Sequence, residues 1–238
     1  MPQLIVALDV NKPDDAERLI DELYELDLIY KVGMESLYGY GERIFSYMEA
    51  RDVRHFIDAK VHDIPRTAGA AVKQLVRHGT HIVNVHALGG SEMMRAAVSA
   101  ANDRARELGI SPAPHVFAVT VLTSMSESDL LDVGLGGDPV ENAMRLARLA
   151  KEAGCTGVVC SPHESRDIKT ALGNAFLTLT PGIRPGGETH DDQKRVTTPA
   201  QAVRAGSDYL VVGRPITQAR SALAAAKAIL DEMRSVPA

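Results

Sequence analysis

The stretch RHFIDAKVHDIPRTAGAAVKQLVRHG, Arg54–Gly79, holds one complete structural unit. RHFIDAK (Arg54–Lys60) is a short β-type run that ends in charged residues. Pro65 presets the first turn of a helix, and AGAAVKQLVRHG carries a helical pattern that stops at a glycine. The unit recurs in both directions. Upstream, LIVALD (Leu4–Asp9) leads into PDDAERLIDELYEL (Pro13–Leu26), whose proline and two aspartates suit a helix N-terminus. IYKVG (Ile29–Gly33) leads into SLYGYGERIFSYMEA (Ser36–Ala50). Downstream, IVNVHA (Ile82–Ala87) precedes SEMMRAAVSAANDRARELG (Ser91–Gly109), and HVFAVTVL (His115–Leu122) precedes a helix from about Pro139 to Gly154. GVVC (Gly157–Cys160) precedes a short helix near His163–Ala171, and FLTLT (Phe176–Thr180) precedes a polar loop and then TPAQAVRAG (Thr198–Gly206). YLVVG (Tyr209–Gly213) precedes ITQARSALAAAKAILDEMR, expected to be helical over Ile216–Arg234.

Eight apolar runs, each followed by a helical segment, imply a parallel sheet covered by helices. Within 238 residues the expectation is an α/β fold, a single-domain (β/α)8 TIM barrel spanning residues 1–238. A doubly wound open sheet would leave two runs unexplained. The longest stretch without regular pattern is Pro181–Thr198, rich in Gly, Pro, Asp and Thr. After a seventh strand it would lie on the face where barrel active sites form, and it reads as a lid or binding loop.

Composition narrows the function classes. The formal charge is −5, which argues against nucleic acid as a partner but leaves room for a local basic pocket. No tryptophan and 4% aromatics argue against a stacking platform for single strands. No apolar stretch is long enough to span a membrane. The opening MPQLIVALDV lacks the basic and apolar regions of a secretory leader. Two cysteines, Cys155 and Cys160, exclude a disulfide framework and show no zinc-type spacing. A cytoplasmic chain is the expectation.

Reading the ends of the runs collects Asp9, Lys31, Asp58, Lys60, His86, Thr123, the Arg184–Gln193 loop and Gly213-Arg214. The sharpest feature is DAKVHDIPRT (Asp58–Thr67). Asp58 and Lys60 are two apart on a strand and project to one face, and Asp63 follows where the chain turns. Alternating carboxylates and ammonium groups stabilise one another's charged forms. Such a cluster reads either as a catalytic constellation or as a structural ion-pair network. In VVGRPIT (Val211–Thr217), Gly213 stands before a helix N-terminus, a place where backbone N–H groups and the helix dipole favour a phosphate. Arg214 could add a bidentate contact, and Gly182-Ile183-Arg184 lies in the adjacent loop. A plain turn with a solvated arginine is the other reading of VVGRPIT. His62 and His86 read as packing or hydrogen-bonding residues, the cysteines as small core residues, and Gly89-Gly90 as a turn.

LDV (Leu8–Val10), KVG (Lys31–Gly33), DAKVHDIPRT, TVLTS (Thr120–Ser124), TPGIR (Thr180–Arg184), DDQKRV (Asp191–Val196) and VVGRPIT occur in this order. With them the chain resembles the orotidine 5′-monophosphate decarboxylase family in its compact bacterial form, over nearly its whole length. The resemblance implies decarboxylation of orotidine 5′-monophosphate to UMP, the last step of de novo pyrimidine biosynthesis, with no metal and no organic cofactor. It implies a catalytic tetrad of Lys31, Asp58, Lys60 and Asp63, with Lys60 protonating C6 of the pyrimidine. It places Asp9 at the ribose, Thr123 beside the pyrimidine, and Arg184, Gln193, Gly213 and Arg214 at the phosphate. It also implies a homodimer in which Asp63, Ile64 and Thr67 serve the partner's site. Ala59 and Val61 replace bulkier apolar residues, and Arg66 stands where Asn is common, which bears on contacts at that interface. Two rivals share parts of this pattern. Magnesium-dependent sugar-phosphate enzymes of similar barrels also carry DxKxxD, and a non-catalytic nucleotide-binding protein could keep the phosphate site alone.

Overall fold

The structure, a computed structural model, describes residues 2–187 and 197–236. Its eight strands are β1 (Gln3–Ala7), β2 (Ile29–Gly33), β3 (His55–Val61), β4 (Thr80–His86), β5 (His115–Val119), β6 (Gly157–Val159), β7 (Leu177–Thr180) and β8 (Tyr209–Val212). They pair in chain order, all parallel, and β8 returns to β1 with Leu4 opposite Leu210, so the sheet is a closed barrel. The expected fold class is thereby met.

Period-two alternation builds the two cores. Leu4, Val6 and Leu8 pack outward against the helices, whereas Ile5 and Ala7 point to the barrel axis. Ile29, Phe56, Ile82, Phe117, Leu179, Tyr209 and Val211 fill the interior with them. The apolar plug they make is the floor on which the charged residues of the next layer stand. At Gly157 the sheet tolerates no side chain, because a Cβ would lie 2.2 Å from the Leu177 carbonyl oxygen.

The helices are α1 (Pro13–Leu23), α2 (Met34–Ala50), α3 (Pro65–Leu75), α4 (Gly90–Leu108), α5 (Glu127–Asp132), α6 (Pro139–Glu152), α7 (Pro162–Leu172), α8 (Pro199–Arg204), α9 (Arg214–Thr217) and α10 (Ala222–Arg234). Two departures from the sequence reading have local causes. The expected helix Ile216–Arg234 is corrected to α9 and α10, because Ser221 adopts an extended backbone and caps α10 by accepting from the Ala224 N–H. A short α5 stands in the β5–α6 connection, started by a Ser126–Asp129 capping box.

The N-terminal end of the barrel is closed by imidazoles. His81 and His115 meet edge to face with ring centroids 5.2 Å apart, and His81 Nε2 lies 3.3 Å from the Tyr209 hydroxyl. His55, fully buried as the first residue of β3, lies 3.1 Å from the Thr80 hydroxyl. Burial pulls the pKa of both His55 and His81 down to about 4. Around His55, the Val53 carbonyl and Glu49 oppose the shift while Arg77 and His81 add to it. Around His81, His115 and Arg54 add to it and Asp27 opposes. Between pH 6.5 and about 4 the unfolded chain therefore binds protons that the folded chain does not. Unfolding free energy from urea melts should fall as pH is lowered through that window, and the slope should become shallower in His81→Phe. A slope that His81→Phe leaves unchanged contradicts this assignment.

Candidate active site

Four neighbouring strands deliver polar groups to the C-terminal mouth of the barrel. Asp9 follows β1, Lys31 lies on β2, Asp58 and Lys60 on β3, and Asn84 on β4. Lys31 Nζ stands 2.8 Å from Asp9 Oδ1 and 3.3 Å from Asp58 Oδ2. Lys60 Nζ stands 2.6 Å from Asp58 Oδ1. The result is a line of alternating charge, Asp9–Lys31–Asp58–Lys60.

Lys31 is 7% and Asp58 8% exposed, and an isolated buried charge would be costly. The pairing reverses that penalty. Burial pulls the Lys31 pKa down, but Asp58 and Asp9 outweigh it and hold the ammonium above the ordinary lysine value. Burial pushes Asp58 up, but Lys31, Lys60 and the Asn84 hydrogen bond hold it below the ordinary carboxylate range. Both groups stay charged through neutral pH.

The backbone beneath this line is irregular. The β3–β4 register shifts between Ile57 and Val61, and Lys60 has φ 50°, in the left-handed region. Alternation on a flat strand therefore does not explain how Asp58 and Lys60 meet; a bulge does. Asn84 bridges it, accepting the Lys60 N–H at 2.7 Å and donating to Asp58 Oδ1 at 2.7 Å. Asn84 is a site residue that the sequence reading missed. Its signal was a lone amide inside the apolar run IVNVH. Asp9 is held from behind. Ser36 donates to the Leu8 carbonyl at 2.7 Å and Tyr40 to the Val10 carbonyl at 2.6 Å, so the backbone on each side of Asp9 is anchored to α2.

Lys31, Asp58, Lys60 and Thr123 line one cavity of about 200 Å³, walled by Phe56, Val119, Val121, Val159 and Leu179. Pro181 and Val211, at the exits of β7 and β8, complete it. Three residues further along each exit, Arg184 and Arg214 line a second cavity of about 390 Å³. Gly213 caps the four-residue α9. The neck of the β7 loop is tied by Arg184 N–H to Thr197 O at 2.9 Å and Thr197 N–H to Gly182 O at 3.2 Å. Gln193 lies outside the described residues. Asp63, Ile64 and Thr67 are exposed at the rim, and Asp63 Oδ1 accepts the Ile64 N–H at 2.7 Å rather than joining the charged line. His62 and His86 stack with centroids 5.5 Å apart. Burial, with His62 and Lys60, lowers the His86 pKa to about 4. Cys155 and Cys160 are buried, as the reading as core residues expects. A surface groove of about 710 Å³ between α3 and α4 holds none of these residues.

Comparison with known proteins identifies the family. A family model described as Orotidine 5′-phosphate decarboxylase / HUMPS family matches residues 2–229. The chain belongs to that family. It is 45% identical over 235 residues to the orotidine 5′-phosphate decarboxylase of Moorella thermoacetica, covering 98% of this chain and 93% of that protein. It is 45% identical over 234 residues to that of Shewanella sediminis, covering 98% and 97%. The crystal structure of orotidine 5′-phosphate decarboxylase from Lactobacillus acidophilus superposes with a TM-score of 0.85 at 34% identity, covering 99% of this chain and all of the other. The family resemblance read from the motifs is thus established, and with it the barrel.

Gly33 is required by the charged line itself. A Cβ there would lie 2.7 Å from Asp9 Oδ1 and 2.8 Å from Lys31 Nζ. Both atoms end flexible side chains, so the fold can yield while the ion pair cannot stay. Gly33→Ala should keep Tm within about 4 °C of the parent, an effect near 1 kcal/mol or less. A crystal structure of the variant should show Asp9 and Lys31 parted. An intact pair in that structure would sink the argument.

Proposed function

We propose that the chain is one catalytic domain that decarboxylates orotidine 5′-monophosphate to UMP without metal or organic cofactor. The observation that carries the reading is the Lys60 ammonium 2.6 Å from Asp58, inside the line that Lys31 and Asp9 extend. Loss of CO2 breaks the bond from C6 to the carboxyl carbon and leaves the electron pair on C6. Lys60 stabilises that developing carbanion and then transfers its proton to C6; solvent later restores the ammonium. Fixed charges that need no reorganisation are the means of stabilisation. Asp58 lies beside the leaving carboxylate, and Lys31 holds Asp58 in place. Both oxygens of Asp58 already face ammonium or amide donors, a setting that repels a divalent cation. This favours the metal-free reading over the magnesium-dependent one. A nucleotide sensor needs only the phosphate end, and the intact charged line favours an enzyme over it.

Asp9 receives the ribose and Thr123 flanks the pyrimidine. Arg184, Gln193, Gly213 and Arg214 take the phosphate. Phosphate binding contributes to catalysis by ordering the site around the reacting carbon. Activity measured by loss of orotate absorbance should persist in EDTA and vanish in Lys60→Ala. Arg214→Ala should lose several orders of magnitude less kcat/KM than Lys60→Ala. Activity lost in EDTA and restored by Mg2+ would transfer the chain to the sugar-phosphate chemistry.

The rim residues complete the proposal as a homodimer, with Asp63, Ile64 and Thr67 reaching the partner's site. Ile64 is 64% exposed, a large apolar side chain beside an exposed carboxylate, which suits a covered position better than open water. Mixing inactive Lys60→Ala with inactive Asp63→Ala should regenerate activity, because one of the two sites in a mixed dimer then has both groups. No recovery after subunit exchange would mean that Asp63 acts within its own chain. A cytoplasmic location fits the two free, buried thiols of Cys155 and Cys160, and among the described residues no helix is long and apolar enough to cross a membrane.

A further inference from the structure

We infer that Asn84 is a positioning residue for the decarboxylation proposed above, setting both the backbone of Lys60 and the orientation of Asp58. The inference rests on that functional reading for its chemistry and on geometry for its mechanics. Asn84 is fully buried on β4. Its two amide atoms serve two different needs. Oδ1 accepts the Lys60 N–H at 2.7 Å, at the residue whose φ of 50° takes it out of the strand ladder. Nδ2 donates at 2.7 Å to Asp58 Oδ1, the same oxygen that the Lys60 ammonium approaches at 2.6 Å. One short side chain thus fixes the root of Lys60 and the acceptor of its tip.

Few residues can do this. The bulge needs an acceptor for the half-buried Lys60 N–H, and Asp58 needs a donor; asparagine supplies one of each at that length. Aspartate would supply the acceptor but set a second carboxylate against Asp58. Leucine or alanine would leave the Lys60 N–H unsatisfied, which is costly in a buried site. The left-handed conformation at Lys60 is disfavoured relative to an ordinary strand residue. Without the Asn84 bond the segment can relax toward a regular strand, and the ammonium would move off the position from which it reaches C6. Displacements of that order cost on the order of 100-fold in rate.

The test uses the full-length protein with Asn84→Ala and Asn84→Asp. Asn84→Ala should lose on the order of 100-fold in kcat while binding UMP within about threefold of the parent, since the phosphate end is untouched. Amide hydrogen exchange at Lys60 should be at least about tenfold faster in Asn84→Ala. In Asn84→Asp the ratio of variant to parent kcat should rise as pH is lowered, because the introduced carboxyl, once protonated, again donates to Asp58 while accepting from Lys60. A merely structural role would not produce that pH dependence. Parent-like kcat with parent-like Lys60 exchange in Asn84→Ala overturns the inference, as does an equal loss of kcat and UMP affinity. If the parent itself does not turn over orotidine 5′-monophosphate, the functional reading fails. The Lys60 exchange still decides whether Asn84 holds this segment. Should Asn84→Ala not fold, the near-isosteric Asn84→Asp decides alone through its pH ratio.

Discussion

Everything at the mouth of this barrel depends on one buried carboxylate. Asp58 has two oxygens and three donors, Lys31 on one side and Lys60 with Asn84 on the other. Those donors come from β2, β3 and β4, three neighbouring strands that the sheet brings together. Taking Asp58 out of water is worth doing only when its charge is answered in full, and removing one partner of a buried pair leaves an uncompensated charge. The apolar floor of Phe56, Ile82, Phe117 and Leu179 raises the stakes. It lowers the local dielectric, strengthening each ion pair and making any missing one more costly.

The backbone at Lys60 shows where the fold gives up regularity. Residues in sparsely populated φ/ψ regions persist only where their surroundings over-determine them, and they cluster at functional sites. Here the surroundings are explicit. The Lys60 side chain is drawn to Asp58 and its N–H to Asn84, while the register slip between Ile57 and Val61 supplies the extra length. On the opposite side, Ser36 and Tyr40 anchor the carbonyls flanking Asp9. Asn84 thus supports Asp58 directly, and Ser36 and Tyr40 steady the backbone that carries Asp9. That is what fixed electrostatics requires, since a dipole that must reorient during reaction loses its advantage.

The barrel was legible in the sequence because parallel strands buried on both faces read as continuous apolar runs, each followed by helical periodicity. Lys31, Asp58 and Lys60 were legible because charges inside such runs need partners. Asn84 was not, since a single amide in IVNVH makes no pattern with anything near it in the chain; its partners are 24 and 26 residues away. The bulge was hidden for the same reason, because register belongs to a pair of strands. The break between α9 and α10 depended on one serine turning to cap a helix in an alanine-rich stretch that could have continued. The roles of Asp63, Ile64 and Thr67 came from family resemblance alone. Within one chain they stand exposed on the rim, where no local rule assigns them a task.

Lys31 helps to hold Asp58 charged from within the chain itself. It sits between Asp9 and Asp58 as a cation would, 2.8 Å from one and 3.3 Å from the other. An ammonium fixed to the chain differs from a metal ion in two respects. It cannot dissociate, so the line of charge is complete before substrate arrives. It also offers no open coordination position, so it cannot polarise a substrate oxygen as a Lewis acid. A site built this way suits the proposed chemistry, in which charge develops next to a proton donor. Lys60 is tethered to the same carboxylate and is the donor in the proposed reaction, whereas Arg184 and Arg214 line the other cavity. In that proposal reaction and anchoring are divided between two cavities, and fixed charge organises the first.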